Sequence, residues 1–261
     1  MMHTRKRFGQ HFLHDQSVLT RIVSAVNPQP GEHLVEIGPG AGALTALLLE
    51  QVPHLDAVEI DRDLAALLQN RWPTQLRLHA VNALSFDFGE LARERGGRLR
   101  VVGNLPYNIS TPLLFHLLRF VDAIDEMYVM LQREVIDRMA AAPGTEDYGR
   151  LTVMLSPWLH IEKLFDVGPG AFKPPPRVWS AVARLTVLRQ PRFDVPPAFA
   201  AVVSAAFSAR RKTLRNGLRQ LVPESAYALC GVDPGARPET LAPAQFAALA
   251  ALATVPLAVI T

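Results

Sequence analysis

Along the chain, short apolar runs of β type alternate with longer stretches of helical spacing. Strands are predicted at Leu34 to Ile37, Asp56 to Ile60, Leu76 to His79, Leu99 to Val102 and Met127 to Leu131, with helices between them. Strands that are largely apolar on both faces and separated by helical patterns belong to a parallel sheet, because each crossover helix packs back onto it. A doubly wound α/β core follows from that pattern. Alternation returns at Val178 to Val187, which reads as a late strand, and Gln190 to Pro197 then places three prolines in a polar setting. Beyond them, Pro197 to Thr261 is Ala- and Leu-rich with helical spacing and no clear strand. The expected division is an α/β domain over 1–190 and a small all-helical domain over 191–261.

Composition narrows the class. The chain has 261 residues, of which 49% are hydrophobic and 20% charged, the balance of a globular protein in water. No apolar run reaches bilayer length, so no membrane partner is expected. The start, MMHTRKRFGQ, is basic and lacks the apolar stretch of a secretory signal, which points to the cytoplasm. A single cysteine, Cys230, excludes an internal disulfide and any multi-cysteine metal site, and the eight histidines show no H-x-x-x-H spacing. No metal is expected.

Charge is informative through its distribution. The net charge is only +3, yet Met1 to His14 contains no acid and carries Arg5, Lys6 and Arg7. Between Asp194 and Glu224 there is again no acid, while Arg210, Arg211, Lys212, Arg215 and Arg219 cluster together. Two basic clusters on an otherwise balanced chain predict a local polyanion footprint. In the second, Leu214, Leu218 and Leu221 would face a core and Arg211, Arg215 and Arg219 would form a stripe at i, i+4 and i+8. A merely solvated stripe is the plainer alternative. The lack of any counter-charge nearby in sequence favours RNA phosphates.

Two motifs carry candidate chemistry. In LVEIGPGAGALTALLLE, a predicted strand runs into a glycine-rich turn and then a helix. Gly38, Gly40 and Gly42 let backbone amides approach a ligand closely, and Glu59, at the end of the next strand, can accept both hydroxyls of an adenosine ribose. Gly38, Gly40 and Ala43 also satisfy the dinucleotide pattern, so NAD stays open on this loop alone, as does a tight connection without a ligand.

After the fourth strand, VVGNLPYNIS places Asn104, Leu105, Pro106 and Tyr107 where doubly wound sheets bind ligands. The tetrapeptide resembles the N/D-P-P-Y motif of adenine amino-methyltransferases. An adenine N6 lone pair is delocalised into the ring and must be redirected towards the incoming methyl. The Asn104 side-chain oxygen and the Leu105 carbonyl can each take one N6 hydrogen, Pro106 stiffens the turn, and Tyr107 can stack on an extruded base. An ordinary loop with an Asx turn and a half-buried tyrosine is the structural alternative.

With these segments in place, the chain resembles the KsgA/RsmA ribosomal RNA adenine dimethylase family. The likeness is carried by KRFGQHFLHD, VEIGPGAGALT, VEIDRD, GNLPYNISTPLLFHLL, MLQREVIDRM, YGRLTVM, FKPPPRVWSAV and FSARRKTLRN, from Arg5 to Asn216. It implies a Rossmann-like, S-adenosylmethionine-dependent methyltransferase domain followed by a small helical domain that contributes to RNA binding. The implied reaction dimethylates the N6 of two adjacent adenosines in the 3′-terminal hairpin loop of 16S ribosomal RNA within the small subunit, during its maturation. The implied cofactor contacts are His11, Leu13, Gly38, Glu59, Asn82 and Asn104, and Phe172 matches an aromatic that helps hold the target base.

One position matches the family pattern in an allowed variant, and two depart from it. The family allows Asn or His where this chain has His11. It usually has Asp at position 82, where Asn82 keeps an amide oxygen that can accept from an adenine amino group. Trp179 replaces a usual Asp, and the sequence supplies no reason. The resemblance leaves two rivals, a 23S ribosomal RNA adenine methylase of the macrolide-resistance type and a non-catalytic assembly factor. Leu105 and the FSARRKTLRN segment disfavour the first, and the Asn104/Tyr107 pair the second. A dehydrogenase is weaker still, because no hydride-transfer acid/base site is evident.

Overall fold

The computed structural model describes residues 11–208 and 212–254. In chain order the strands are β1 (Phe12–Leu13), β2 (His33–Ile37), β3 (Leu55–Val58), β4 (Leu76–His79), β5 (Leu99–Asn104), β6 (Ile124–Gln132), β7 (Leu159–Val167), β8 (Phe172–Lys173) and β9 (Ser180–Val187). Seven of them form one sheet in the order β4-β3-β2-β5-β6-β9-β7. β4, β3, β2, β5 and β6 run parallel, and β9 lies antiparallel to β6. β1 and β8 make a separate antiparallel pair, with Phe12 opposite Lys173 and Leu13 opposite Phe172.

The crossovers are helical. α1 (Gln16–Val26) precedes β2, α2 (Ala43–Leu49) and α3 (Arg62–Arg71) flank β3, and α4 (Phe88–Arg95) and α5 (Ser110–Leu118) flank β5. Local signals set their starts. Asp15 and Asp61 cap α1 and α3 by accepting backbone N–H groups of the first turn, which have no partner within the helix. Buried Leu19, Ile22, Leu34, Leu48, Leu55, Leu68 and Val102 join helices to sheet in one core cluster. β2 sits where the chain order reverses, with β3 on one side and β5 on the other, so the crevice beyond its carboxyl end is open to a ligand.

The chain divides into two compact units, Met1–Ile136 with Ile161–Val187, and Asp137–His160 with Leu188–Thr261. The second differs from the expected 191–261 because an earlier segment belongs to it. α6 (Arg133–Ala140) leads into that segment, which also holds α7 (Arg150–Leu155). The later helices are α8 (Phe199–Ser208), α9 (Leu214–Leu218), α10 (Glu224–Leu229) and α11 (Pro243–Ala251). Tyr148 and Val153 are buried with Phe199, Val203, Leu214, Leu218 and Phe246, and the Tyr148 hydroxyl donates to the Leu241 carbonyl at 2.6 Å. A single cut near residue 190 misses this packing, because it joins residues far apart in sequence.

Five strands begin and end near their predicted positions, and the late strand begins at Ser180 rather than Val178. β7 was not predicted. It is one of the two edge strands of the sheet, and Glu162, Lys163 and Asp166 break its apolar signal. β1 and β8 span two residues each, too few for any periodicity.

Candidate active site

His11, Leu13, Gly38, Glu59, Asn82, Asn104, Leu105, Pro106 and Tyr107 all line one cavity of about 280 Å³ at the carboxyl edge of the sheet. The fold explains the convergence: β2, β3, β4 and β5 are parallel neighbours, so the turns after them open at one edge. The glycine turn follows β2, Glu59 follows β3, Asn82 follows β4 and Asn104 ends β5.

The turn works by omission of side chains. Gly40 has φ +56, in the left-handed region, and a Cβ there would meet the Phe12 ring at 3.0 Å. Behind the turn, a Cβ at Gly103 would stand 2.4 Å from the Ile37 carbonyl oxygen, so β2 and β5 approach only because position 103 is glycine. Nothing in the strand pattern marked Gly103.

Glu59 is 4% exposed, and its two carboxylate oxygens accept from the backbone N–H groups of Gly40 at 3.2 Å and Asp61 at 2.9 Å. These bonds aim the carboxylate into the cavity and leave further lone pairs for a ligand. Burial pushes its pKa up, partly offset by the Asp61 and Gly40 amides. Glu36 on β2 also lines the cavity, and the Thr45 hydroxyl of α2 donates to it at 2.6 Å. Complete burial, with the neighbouring charge of Glu59 adding to it, pushes the Glu36 pKa up to about 7. Glu36 was not singled out from the sequence. The available signal was an acid within the otherwise apolar run of β2.

Asn104 is oriented by the N-terminal segment. Its side-chain Nδ2 donates to the His11 carbonyl at 3.1 Å, which reserves Oδ1 as an acceptor. The His11 ring lies 5.7 Å from that of Tyr107, and His11 Nδ1 is 2.8 Å from the Pro174 carbonyl oxygen. The Tyr107 hydroxyl shares a 2.6 Å hydrogen bond with Ser180, which is fully buried. Burial pushes the Tyr107 pKa up, with the Ser180 bond opposing it. Ser180 was likewise missed, since only the pairing of β9 with β6 brings it near.

Asn82 Oδ1 accepts from the Leu84 N–H at 3.0 Å, capping a short turn. One lone pair of its oxygen therefore serves the protein's own backbone, and the other, with the amide hydrogens, is left for a ligand. An acceptor contact to an adenine amino group would share that oxygen with the Leu84 N–H. Phe172 differs from expectation. It is 2% exposed and packed in the core with Leu13 and Leu19, on the strand that pairs with β1, and does not line the cavity.

The basic residues divide by location. Arg5, Lys6, Arg7, Arg210 and Arg211 lie outside the described residues. Lys212 and Arg215 are exposed, and Leu214 and Leu218 are buried as expected. Arg219 is the exposed C-cap of α9, in helical conformation, one turn after Arg215. Arg215 pairs with Glu224 at 2.5 Å, so the acid closing the long acid-free stretch supplies the counter-charge judged absent. No group of three or more potential metal ligands occurs among the described residues, and no helix among them is long and apolar enough to cross a membrane.

The cavity fits a cationic nucleoside. Two carboxyl groups, Glu36 and Glu59, suit positive charge, Ile60 and Val81 offer exposed apolar surface at its wall, and the glycine turn leaves room for close backbone approach. A parallel sheet with antiparallel β9 inserted between β6 and β7, and this site at its carboxyl edge, defines the Rossmann-like methyltransferase class. The family model for ribosomal RNA adenine dimethylase matches residues 1–254. The chain belongs to that family.

Its relatives agree. It is 55% identical to the ribosomal RNA small subunit methyltransferase A of Thiobacillus denitrificans, over 96% of this chain and 98% of that protein. The protein of the same name from Nitrosococcus oceani is 53% identical, covering 94% of each. Among solved structures, a dimethyladenosine transferase from Plasmodium falciparum superposes with a TM-score of 0.75 at 22% identity, covering 93% of this chain and 99% of that one, a likeness of fold. The 23S rRNA methyltransferase ErmE gives 0.67 at 26% identity, covering 92% and 98%.

Proposed function

We propose that this chain transfers methyl groups from S-adenosylmethionine to the N6 of two adjacent adenosines in the 3′-terminal hairpin loop of 16S ribosomal RNA, producing N6,N6-dimethyladenosines as the small subunit matures in the cytoplasm. The observation that carries the chemistry is the Asn104 amide, whose nitrogen is committed to His11 and whose oxygen is thereby held as an acceptor. The relatives at 55% and 53% identity, both named for the small subunit, favour that substrate over the large-subunit substrate named for ErmE.

Glu59 would hold the ribose hydroxyls, Glu36 and Glu59 would balance the positive charge, and Ile60 and Val81 would enclose the adenine of the cofactor. When bound, the cofactor supplies an electrophilic sulfonium methyl. Asn104 Oδ1 and the Leu105 carbonyl accept the N6 hydrogens of the target adenosine, drawing the nitrogen towards a pyramidal shape. As positive charge grows on N6, the preset Asn104 oxygen binds it more strongly than in the ground state, and that difference lowers the barrier. Tyr107, tethered to Ser180, provides the ring on which the base stacks. Lys212 and Arg215, with Arg210, Arg211, Arg5, Lys6 and Arg7, would contact phosphates.

The test is mass spectrometry of the 3′-terminal hairpin after incubating unmethylated small subunits with the protein and labelled cofactor. Two dimethylated adenosines are expected. Label in large-subunit RNA alone would replace this reading with the large-subunit one, and no label in either would leave an assembly factor.

A further inference from the structure

We propose that Trp179 and Arg133 form a stacking slot for an unpaired RNA base adjacent to the adenosine being methylated. This rests on the ribosomal RNA methyltransferase reading above. Register places the pair at the reactive edge: Asn104 on β5 is opposite Met130 on β6, and Gln132, two residues further towards the carboxyl edge, is opposite Ser180 on β9. Trp179 and Arg133 are the next residues beyond that last pair, joined by the Arg133 N–H donating to the Trp179 carbonyl at 2.9 Å. Consecutive side chains there divide the work. Ser180 turns inward to hold Tyr107, and Trp179 turns outward with 50% of its surface exposed.

The indole is supported rather than loose. Gly168 lies beneath it, where a Cβ would sit 3.7 Å from the ring, and the Arg133 guanidinium carbon stands 5.9 Å from the ring centroid. A flat base stacks at about 3.5 Å from each of two planes, so opening the gap by roughly an ångström, through one long and exposed side chain, admits a base between indole and guanidinium. The surroundings suit a polyanion. From Val167 to Phe193 the sequence holds no acid while Lys173 and Arg177 are exposed; the flanking acids are Asp166, paired with Lys163, and Glu134, next to Arg133. A large exposed indole beside the Arg133 guanidinium, one residue from the anchor of Tyr107, matches the way single-stranded RNA is held by stacking, with phosphates met by charge.

The experiment compares wild type, Trp179→Ala, Trp179→Phe and Arg133→Ala on unmethylated small subunits, with KM for subunits and kcat measured separately and cofactor affinity read by calorimetry. Losing one base stack should raise the KM of Trp179→Ala on the order of tenfold to a hundredfold, with kcat and cofactor affinity near wild type. Trp179→Phe should restore most of the loss, and Arg133→Ala should show a smaller rise. In parallel, the fluorescence difference between wild type and Trp179→Phe isolates one of the three tryptophans, and a single-stranded adenosine-containing RNA should quench it. A wild-type KM in folded Trp179→Ala, or no quenching, overturns the slot. Should the wild type itself fail to methylate small subunits, the parent reading fails, and the quenching titration alone decides the slot.

Discussion

At the carboxyl edge of the sheet, polar groups are already committed: buried Glu59 to two backbone amides, half-buried Asn104 to the His11 carbonyl, half-buried Tyr107 to Ser180. In the helical unit, Lys212 stands in water and Arg215 shares its charge with an equally exposed Glu224. The two regions serve different physics. Preorganised dipoles in a dry site act strongly on one developing charge. Exposed cations act weakly, collectively and through salt-sensitive contacts with a polyanion. Single substitutions should therefore be severe at the edge and mild in the helices.

The largest effect tests that contrast most directly. Asn104→Ala should slow single-turnover methyl transfer at saturating cofactor and substrate by roughly a hundredfold to a thousandfold, by analogy with deleting one donor of an oxyanion hole, and change RNA affinity less. A folded variant that dimethylates at near the wild-type single-turnover rate removes Asn104 from the chemistry.

Glu36 sharpens the comparison through pH. Its carboxyl is raised from 4.5 to about 7 in the folded chain, so between those values the native state holds more protons than the unfolded one. Its stability contribution is complete below pH 4.5 and is lost as pH rises through about 7. Glu36→Gln keeps an acceptor for Thr45 and removes the charge, so it should match wild type near pH 4.5 and exceed it above pH 7, by up to about 3 kcal/mol. Denaturant unfolding across that range reads the difference, and parallel curves would show that Glu36 is not desolvated.

Glu59→Ala should weaken S-adenosylmethionine by about 1 to 3 kcal/mol, the cost of losing hydrogen bonds to a charged group, as measured by calorimetry on the folded variant. Unchanged affinity would take Glu59 out of the cofactor site. The smallest effect belongs to the exposed cations. Replacing Lys212 and Arg215 by Ala should lower affinity for small subunits and flatten its salt dependence by about 0.7 to 0.9 per lost phosphate contact, with cofactor affinity unchanged. A wild-type salt slope would make them solvated surface, and a hundredfold loss would break the comparison itself.

Legibility followed locality. The glycine turn, Glu59 and Asn104 to Tyr107 were readable because each lies where a strand ends, and parallel strands deliver their ends to one edge. The burial of Phe172 was not readable for the opposite reason: it depends on pairing with Leu13, more than 150 residues away. Residue type alone does not say that the Asn82 oxygen already accepts from the Leu84 N–H with one of its two lone pairs. The counter-charge on Arg215 escaped because Glu224 closes the acid-free stretch and was counted outside it.

The sequence by itself determined the doubly wound core, the helical tail, and the glycine turn and Asn104–Tyr107 segment at strand ends, since periodicity, glycine placement and strand-end position are local properties. Only the tertiary structure decided that residues 137–160 join the second unit, that Gly103 lets β2 and β5 approach, that His11 sets the Asn104 amide, and that Ser180 holds Tyr107 while Trp179 faces solvent. Each of these depends on a contact between residues distant in sequence, and such contacts exist only once the core has closed and fixed the register of β9 on β6 and of β1 on β8.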